Sequence, residues 1–179
     1  MESREVIVIF GKTGTGKTTY ATREIKKHNR TVIVDPKIEY DNGLIFYSFV
    51  DLAQFYIDYK PDEFSFICRF DNSVDIESLF KFVEVVEDIF LVVEEAEIYI
   101  SPYAKQSNFL RLIRYGRHHN ISILAIARRA SELSTDLKAM TTKIVSFKQT
   151  LPLDIKIMES FGIFDVDKLE NHEYREIDL

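Results

Sequence analysis

Residues 5–18 read EVIVIFGKTGTGKT, an apolar run that passes without a spacer into a glycine-rich turn. The run Glu5–Phe10 suits a strand buried on both faces of a parallel sheet. Gly11, Gly14 and Gly16 cannot continue it, and helical composition takes over from Lys17 to His28, with Asn29 placed to close the helix. Strand, tight turn and helix within the first 30 residues commit the chain to an α/β arrangement.

The turn itself, Gly11-Lys12-Thr13-Gly14-Thr15-Gly16-Lys17-Thr18, matches G-x-x-x-x-G-K-[ST] at every defined position. The chemistry needs this spacing. Glycines let successive backbone N–H groups turn toward phosphate oxygens, and the helix starting at Lys17 adds the positive end of its dipole. Lys17 is then placed to meet β- and γ-phosphates, and the Thr18 hydroxyl to ligate Mg²⁺. Thr19 extends the binding segment, while Thr13 and Thr15 serve the geometry of the loop. The sequence thus points to a nucleoside triphosphate, ATP, bound with Mg²⁺.

The rest of the chain repeats the alternation. Thr31–Val34, Leu44–Tyr47, Phe64–Phe70, Ile89–Val93, Ile121–Ala127 and Lys143–Phe147 read as strands. Helices are expected at Asp51–Tyr59, Val74–Glu87, Gln106–His119, near Ser131–Ala139 and from Pro152. The expected architecture is an α/β core, a mainly parallel twisted sheet flanked by helices on both faces. Residues 1–150 form that core, and 151–179 a C-terminal helix and tail packed on it within the same domain. A chain of 179 residues with 46% hydrophobic and 29% charged residues can build such a core. The single cysteine, Cys68, excludes an internal disulfide framework and reads as a buried thiol. No apolar run is long enough to span a bilayer, so a cytoplasmic location is expected, in the host cytoplasm for a viral gene.

Ligands of open α/β sheets sit beyond the carboxyl ends of the strands. Ile89–Glu95 (IFLVVEE) ends there in two carboxylates. Glu94 is the candidate for the metal side, and Glu95 for polarising a water that attacks the γ-phosphate. Glu97 extends the acidic patch. The alternative is that the pair is only solvated at a strand end.

Net charge is −6, which by itself disfavours nucleic acid. Yet Ile98–Ser131 contains no acid and six cations: Lys105, Arg111, Arg114, Arg117, Arg128 and Arg129; removing them leaves −12 on the rest of the chain. On a helix over 106–119, Phe109, Leu112, Ile113 and Gly116 share one side, and Arg111, Arg114, Arg117 and His118 the other. That face is either a solvated basic surface or a contact for DNA phosphate or a neighbour's nucleotide, with Arg114 and Arg117 the first choices. Phe46, Phe49, Phe55, Tyr56, Tyr59, Phe64 and Phe66 read as core packing rather than base-stacking groups. His28, His118, His119 and His172 lack metal-ligand spacing.

Taken together, the loop at 11–18, the strand ending in Glu94-Glu95 and the segment RLIRYGRHHNISILAIARRASEL (Arg111–Leu133) resemble the HerA/FtsK branch of P-loop ATPases. Within it they resemble small viral and phage proteins related to genome-packaging ATPases and to phage-assembly proteins of the zonula occludens toxin type. Val34-Asp35-Pro36-Lys37 with Glu39-Tyr40 is similar to that family's segment after the second strand, and the resemblance spans about residues 5–147. It implies a RecA-like P-loop NTPase core, ATP hydrolysis coupled to DNA translocation or packaging, a homo-oligomeric ring, an arginine reaching a neighbour's nucleotide, and a viral or mobile-element origin. Two departures stand out. Glu94 occupies a position where the family commonly has Asp, and Arg128 the position of a polar Gln sensor; an arginine contacts phosphate but accepts no hydrogen bond. A nucleotide or small-molecule kinase, and a nucleotide-dependent export module without DNA stimulation, are the competing functions.

Overall fold

The computed structural model describes residues 4–100 and 107–179. Lys105, part of the expected basic sector, lies outside them. Among the described residues eight strands form one sheet: β1 Val6–Phe10, β2 Arg30–Val34, β3 Leu44–Phe46, β4 Phe64–Cys68, β5 Phe90–Val93, β6 Ser122–Ala127, β7 Lys143–Phe147 and β8 Tyr174–Asp178. Their spatial order is β3-β4-β2-β5-β6-β1-β7-β8. Every neighbouring pair is parallel except β7–β8. The central strands are buried along their whole length, as the continuous apolar runs require.

Six α-helices among the described residues cover the sheet: α1 Lys17–Ile25, α2 Phe49–Tyr59, α3 Ser73–Val86, α4 Asn108–Tyr115, α5 Thr135–Met140 and α6 Pro152–Ser160. Four begin on a side chain that accepts from a free backbone N–H: Ser48 from Asp51, Asn72 from Asp75, Ser107 from Leu110 and Ser134 from Leu137. Each such cap contributes about 1 kcal/mol. One face of the sheet packs on α3, α4 and the apolar side of α6, with Phe80 stacked on Phe109 at 5.0 Å between ring centres. The other face packs chiefly on α1 through Tyr20 and Ala21. Of the aromatic residues expected in the core, Phe46, Phe49, Phe55, Tyr56, Phe64 and Phe66 join these packed layers, whereas Tyr59, at the end of α2, is 70% exposed and only leans on Phe55; Cys68 is fully buried in β4.

Several boundaries differ from the sequence reading. The expected helix 106–119 is α for two turns and then tightens into a 3-10 turn, Gly116–His119, which Asn120 closes in the left-handed conformation. The reason is Arg4, whose guanidinium donates to the carbonyls of Leu112, Ile113 and Ile121 and ends the helix against the sheet. A Cβ on Gly116 would come within 3.3 Å of both Arg4 Nη2 and Ile121 Cβ. The larger difference is at the C-terminus, where the expected tail is an edge strand. In β8 only Tyr174 and Ile177 are partly buried among charged neighbours, so its apolar alternation is too weak to read. No helix among the described residues is long and apolar enough to cross a membrane.

Candidate functional site

The register brings the ends of β1, β6 and β7 level, pairing Phe10 with Ala127 and Ser146, while Val93 of β5 lies beside Ala125 and Val34. At this edge a cleft of about 440 Å³ opens, lined on the loop side by Thr13, Gly14 and Gly16–Thr19. Facing them are Lys37, Glu39, Glu94, Glu95 and Arg128, with His172 at one end.

The loop is shaped by its own hydrogen bonds. Gly11 N–H donates to Ala127 O, holding the loop's start to the sheet, and Thr15 Oγ1 donates to Lys12 O at 2.8 Å. Lys17 Nζ donates to the same carbonyl at 2.9 Å. Gly14 and Gly16 have φ of 80° and 106°. At Gly16 a Cβ would also stand 2.8 Å from His172 Nδ1, whereas at Gly14 it would meet nothing within 4 Å. Gly16→Ala should therefore cost about 1–3 kcal/mol of stability, and Gly14→Ala the smaller part of that range, set by backbone strain alone. Thermal unfolding of both variants checks this, and equal losses would mean that the His172 contact does not constrain the loop.

Glu94 is 5% exposed, and its Oε1 accepts from Tyr40 O–H at 2.7 Å. Burial pushes the Glu94 carboxyl up to about 7, against the hydrogen bond from Tyr40 and the charge of Lys17. The same burial drives the Tyr40 phenol well above its ordinary value, reinforced by the negative charge of Glu94. Lys17 is lowered, chiefly by desolvation, while Glu94, Glu39, Glu97 and Glu95 pull it back up. Glu95 sits in the left-handed conformation with φ of 49°, which turns the chain at the end of β5. Its Oε1 lies 3.6 Å from Lys37 Nζ and 3.7 Å from Arg128 Nε. Glu97 is more than a solvated extension of the acidic patch: it binds Arg128 Nε at 3.2 Å, and its Oε2 is buried without a hydrogen-bond partner among the described residues.

Two residues quoted from the sequence without an assigned role, Glu39 and Tyr40, belong to this cluster. Thr18 Oγ1 donates to Glu39 Oε2, and Tyr40 holds Glu94. Both are placed by Asp35, fully buried after β2, which accepts from the N–H groups of Glu39 and Tyr40 and pairs with Arg69 Nε at 3.1 Å. The proline and acid after an apolar strand mark a turn, but that Asp35 folds the turn back over the cleft depends on Arg69, 34 residues away. His172 carries no signal in the sequence, where it has no partner at metal-ligand spacing; the strand β8 that follows it brings it here.

The expected arginines are not brought together. Arg128 lines the cleft. Arg114 and Arg117 do not, because α4 runs back toward the opposite edge, where His119 O accepts from Asp88 N–H just before β5. The basic face is also less unbalanced than its sequence suggests. Glu84 of α3 binds Arg111 at 2.9 Å, Asp136 of α5 binds Arg114 at 3.0 Å, and Glu132 and Asp154 bind Arg129. Of the three arginines on that face, Arg117 alone lacks an ion pair among the described residues.

The fold has clear counterparts among solved structures. The genome packaging NTPase B204 of Sulfolobus turreted icosahedral virus 2, in complex with ATP-gammaS, superposes with a TM-score of 0.81 at 16% identity, over 99% of this chain and 93% of that one. This fold is that of the P-loop NTPases. The N-terminal domain of zonular occludens toxin from Neisseria meningitidis shares it more distantly, with a TM-score of 0.53 at 13% identity over 83% of this chain and 78% of that one. The conjugation coupling protein TcpA of pCW3, with ATPgS, gives 0.61 at 13% identity over 98% of this chain and 58% of that one. No protein-family model matches the chain, and no curated protein matches it in sequence. In the P-loop fold the loop joining the first strand to the first helix is the phosphate-binding element, and residues 11–18 hold that place between β1 and α1.

Proposed function

We propose that the protein is a Mg²⁺-dependent ATPase that couples hydrolysis to moving or packaging DNA as a homo-oligomer. The observation that carries the catalytic part is the single cleft in which Glu94 and Glu95 face Lys17 and Thr18. Thr18, Glu94 and the neighbouring Glu39 offer only oxygen donors, which fits a hard cation that takes its remaining ligands from phosphate and water. The bound ion supplies charge neutralisation at the β- and γ-phosphates.

The side chains divide the remaining work. Backbone N–H groups of 13–18 cradle the phosphates, and Lys17 leaves its carbonyl partner to meet the β- and γ-oxygens. Glu95 accepts a proton from water while the water oxygen bonds to the γ-phosphorus. The bond from that phosphorus to the β–γ bridging oxygen breaks, releasing ADP and phosphate. Lys37 and Arg128 flank Glu95 and give this pole of the cleft a positive rim for the γ-phosphate.

The DNA part of the proposal is supported by the likeness to a genome packaging NTPase and by Arg117 on the exposed face of the α4 turn. With Arg111, Arg114 and Arg129 paired, Arg117 is the side chain best placed to meet DNA phosphate or a neighbouring subunit. Phosphate release measured with no added acceptor, with and without single- and double-stranded DNA at two salt concentrations, tests both parts. Release without an acceptor is expected, excluding a kinase, together with a DNA stimulation that fades as salt rises. Hydrolysis indifferent to both DNA forms at low salt would leave an ATPase that drives something else.

A further inference from the structure

The cleft has two poles, fixed by the order of strands around the loop. The carboxylates leave β5, two strands from β1 on one side, whereas His172 precedes β8, two strands from β1 on the other. Thr18 and Lys17 lie toward the carboxylates, and Gly16 lies beside His172. A triphosphate whose γ-group lies toward Glu95 must direct its nucleoside the opposite way, past Thr19 and toward His172. There His172 is the one ring on the cleft wall among the described residues, and it is exposed.

The backbone that carries that ring is held in place from several directions. The His172 N–H donates to Thr15 O at 3.0 Å, and the residue takes a φ of 67°, in the left-handed region that histidine enters more readily than most side chains. The strand that follows it is laddered to β7, and Glu176 accepts from Tyr20 O–H of α1 at 2.9 Å. Tyr174 packs edge-on to Tyr20 at 5.2 Å and against Phe147 at 5.5 Å between ring centres. The C-terminal strand thus delivers a flat ring to the cleft wall beside Gly16, on the side of the loop away from the carboxylates.

We infer that His172 forms the nucleoside wall of the site, its imidazole face stacking on the base of the bound nucleotide. This deepens the nucleotide reading above and rests on it. Stacking is tolerant of base identity because every base offers a π-face, so the contact adds affinity without strict selection of adenine.

The test compares the parent chain with His172→Ala and His172→Phe, titrated calorimetrically with Mg-ATP and with Mg-tripolyphosphate, which keeps the phosphates and lacks the nucleoside. His172→Ala is expected to weaken ATP about tenfold and to leave tripolyphosphate unchanged, while His172→Phe keeps the parent affinity for ATP. Equal weakening of both ligands by His172→Ala would overturn the inference, since His172 would then act only by supporting the loop. An ATP affinity untouched by His172→Ala, or lost equally in His172→Phe, would also overturn it. A parent chain that binds neither ligand would instead remove the nucleotide reading itself.

Discussion

Glu95→Gln should bind ATP with nearly parental affinity and turn it over about 10²–10⁴-fold more slowly. The amide keeps the shape of the carboxylate but cannot take a proton from water, so the loss falls on kcat. The position of Glu95 makes the variant clean, because among the described residues its side chain has only long contacts, at 3.6 Å to Lys37 and 3.7 Å to Arg128, and no hydrogen bond. Glu94→Gln is a different experiment: it changes a buried group held by Tyr40, and it should weaken metal-dependent binding as well as turnover. Single-turnover phosphate release beside equilibrium nucleotide binding separates the two. Hydrolysis by Glu95→Gln at the parent rate would assign the water-activating role to another group.

What the sequence disclosed and what it hid follow one physical line. Residues 5–18 and 89–95 were readable because each is a local unit: a doubly buried strand is continuously apolar, and a phosphate loop needs glycine at fixed spacing. The elements that failed to show are those whose form is set by distant partners. β8 is an edge strand with few apolar residues, defined by its ladder to β7 and by Tyr20. The basic stretch of 98–131 looked unopposed because its balancing acids, Glu84, Asp136 and Asp154, come from α3, α5 and α6. Charge patterning along a chain describes a surface only when the neighbours on that surface are also neighbours in sequence, and here they are not.

The same dependence on a distant partner underlies the second large effect, the loss of Asp35. Its carboxylate is fully buried, and the Arg69 side chain that meets it is only 11% exposed. Asp35→Ala leaves that guanidinium facing an uncharged cavity and strips the N–H groups of Glu39 and Tyr40 of their acceptor. The expected cost is about 3–5 kcal/mol, seen as a fall in the urea midpoint of roughly 2 M with an unchanged slope. Arg69→Met should cost less than Asp35→Ala, since it removes the cation while Asp35 still caps the two N–H groups. If the folded fraction of Asp35→Ala binds nucleotide and metal as the parent does, the loop 35–40 is only a structural turn. If metal-dependent binding falls while tripolyphosphate still binds weakly, the turn is what keeps Glu39 beside Thr18 and Tyr40 on Glu94. The second outcome is expected, because a single buried carboxylate fixes both side chains on the metal side of the cleft.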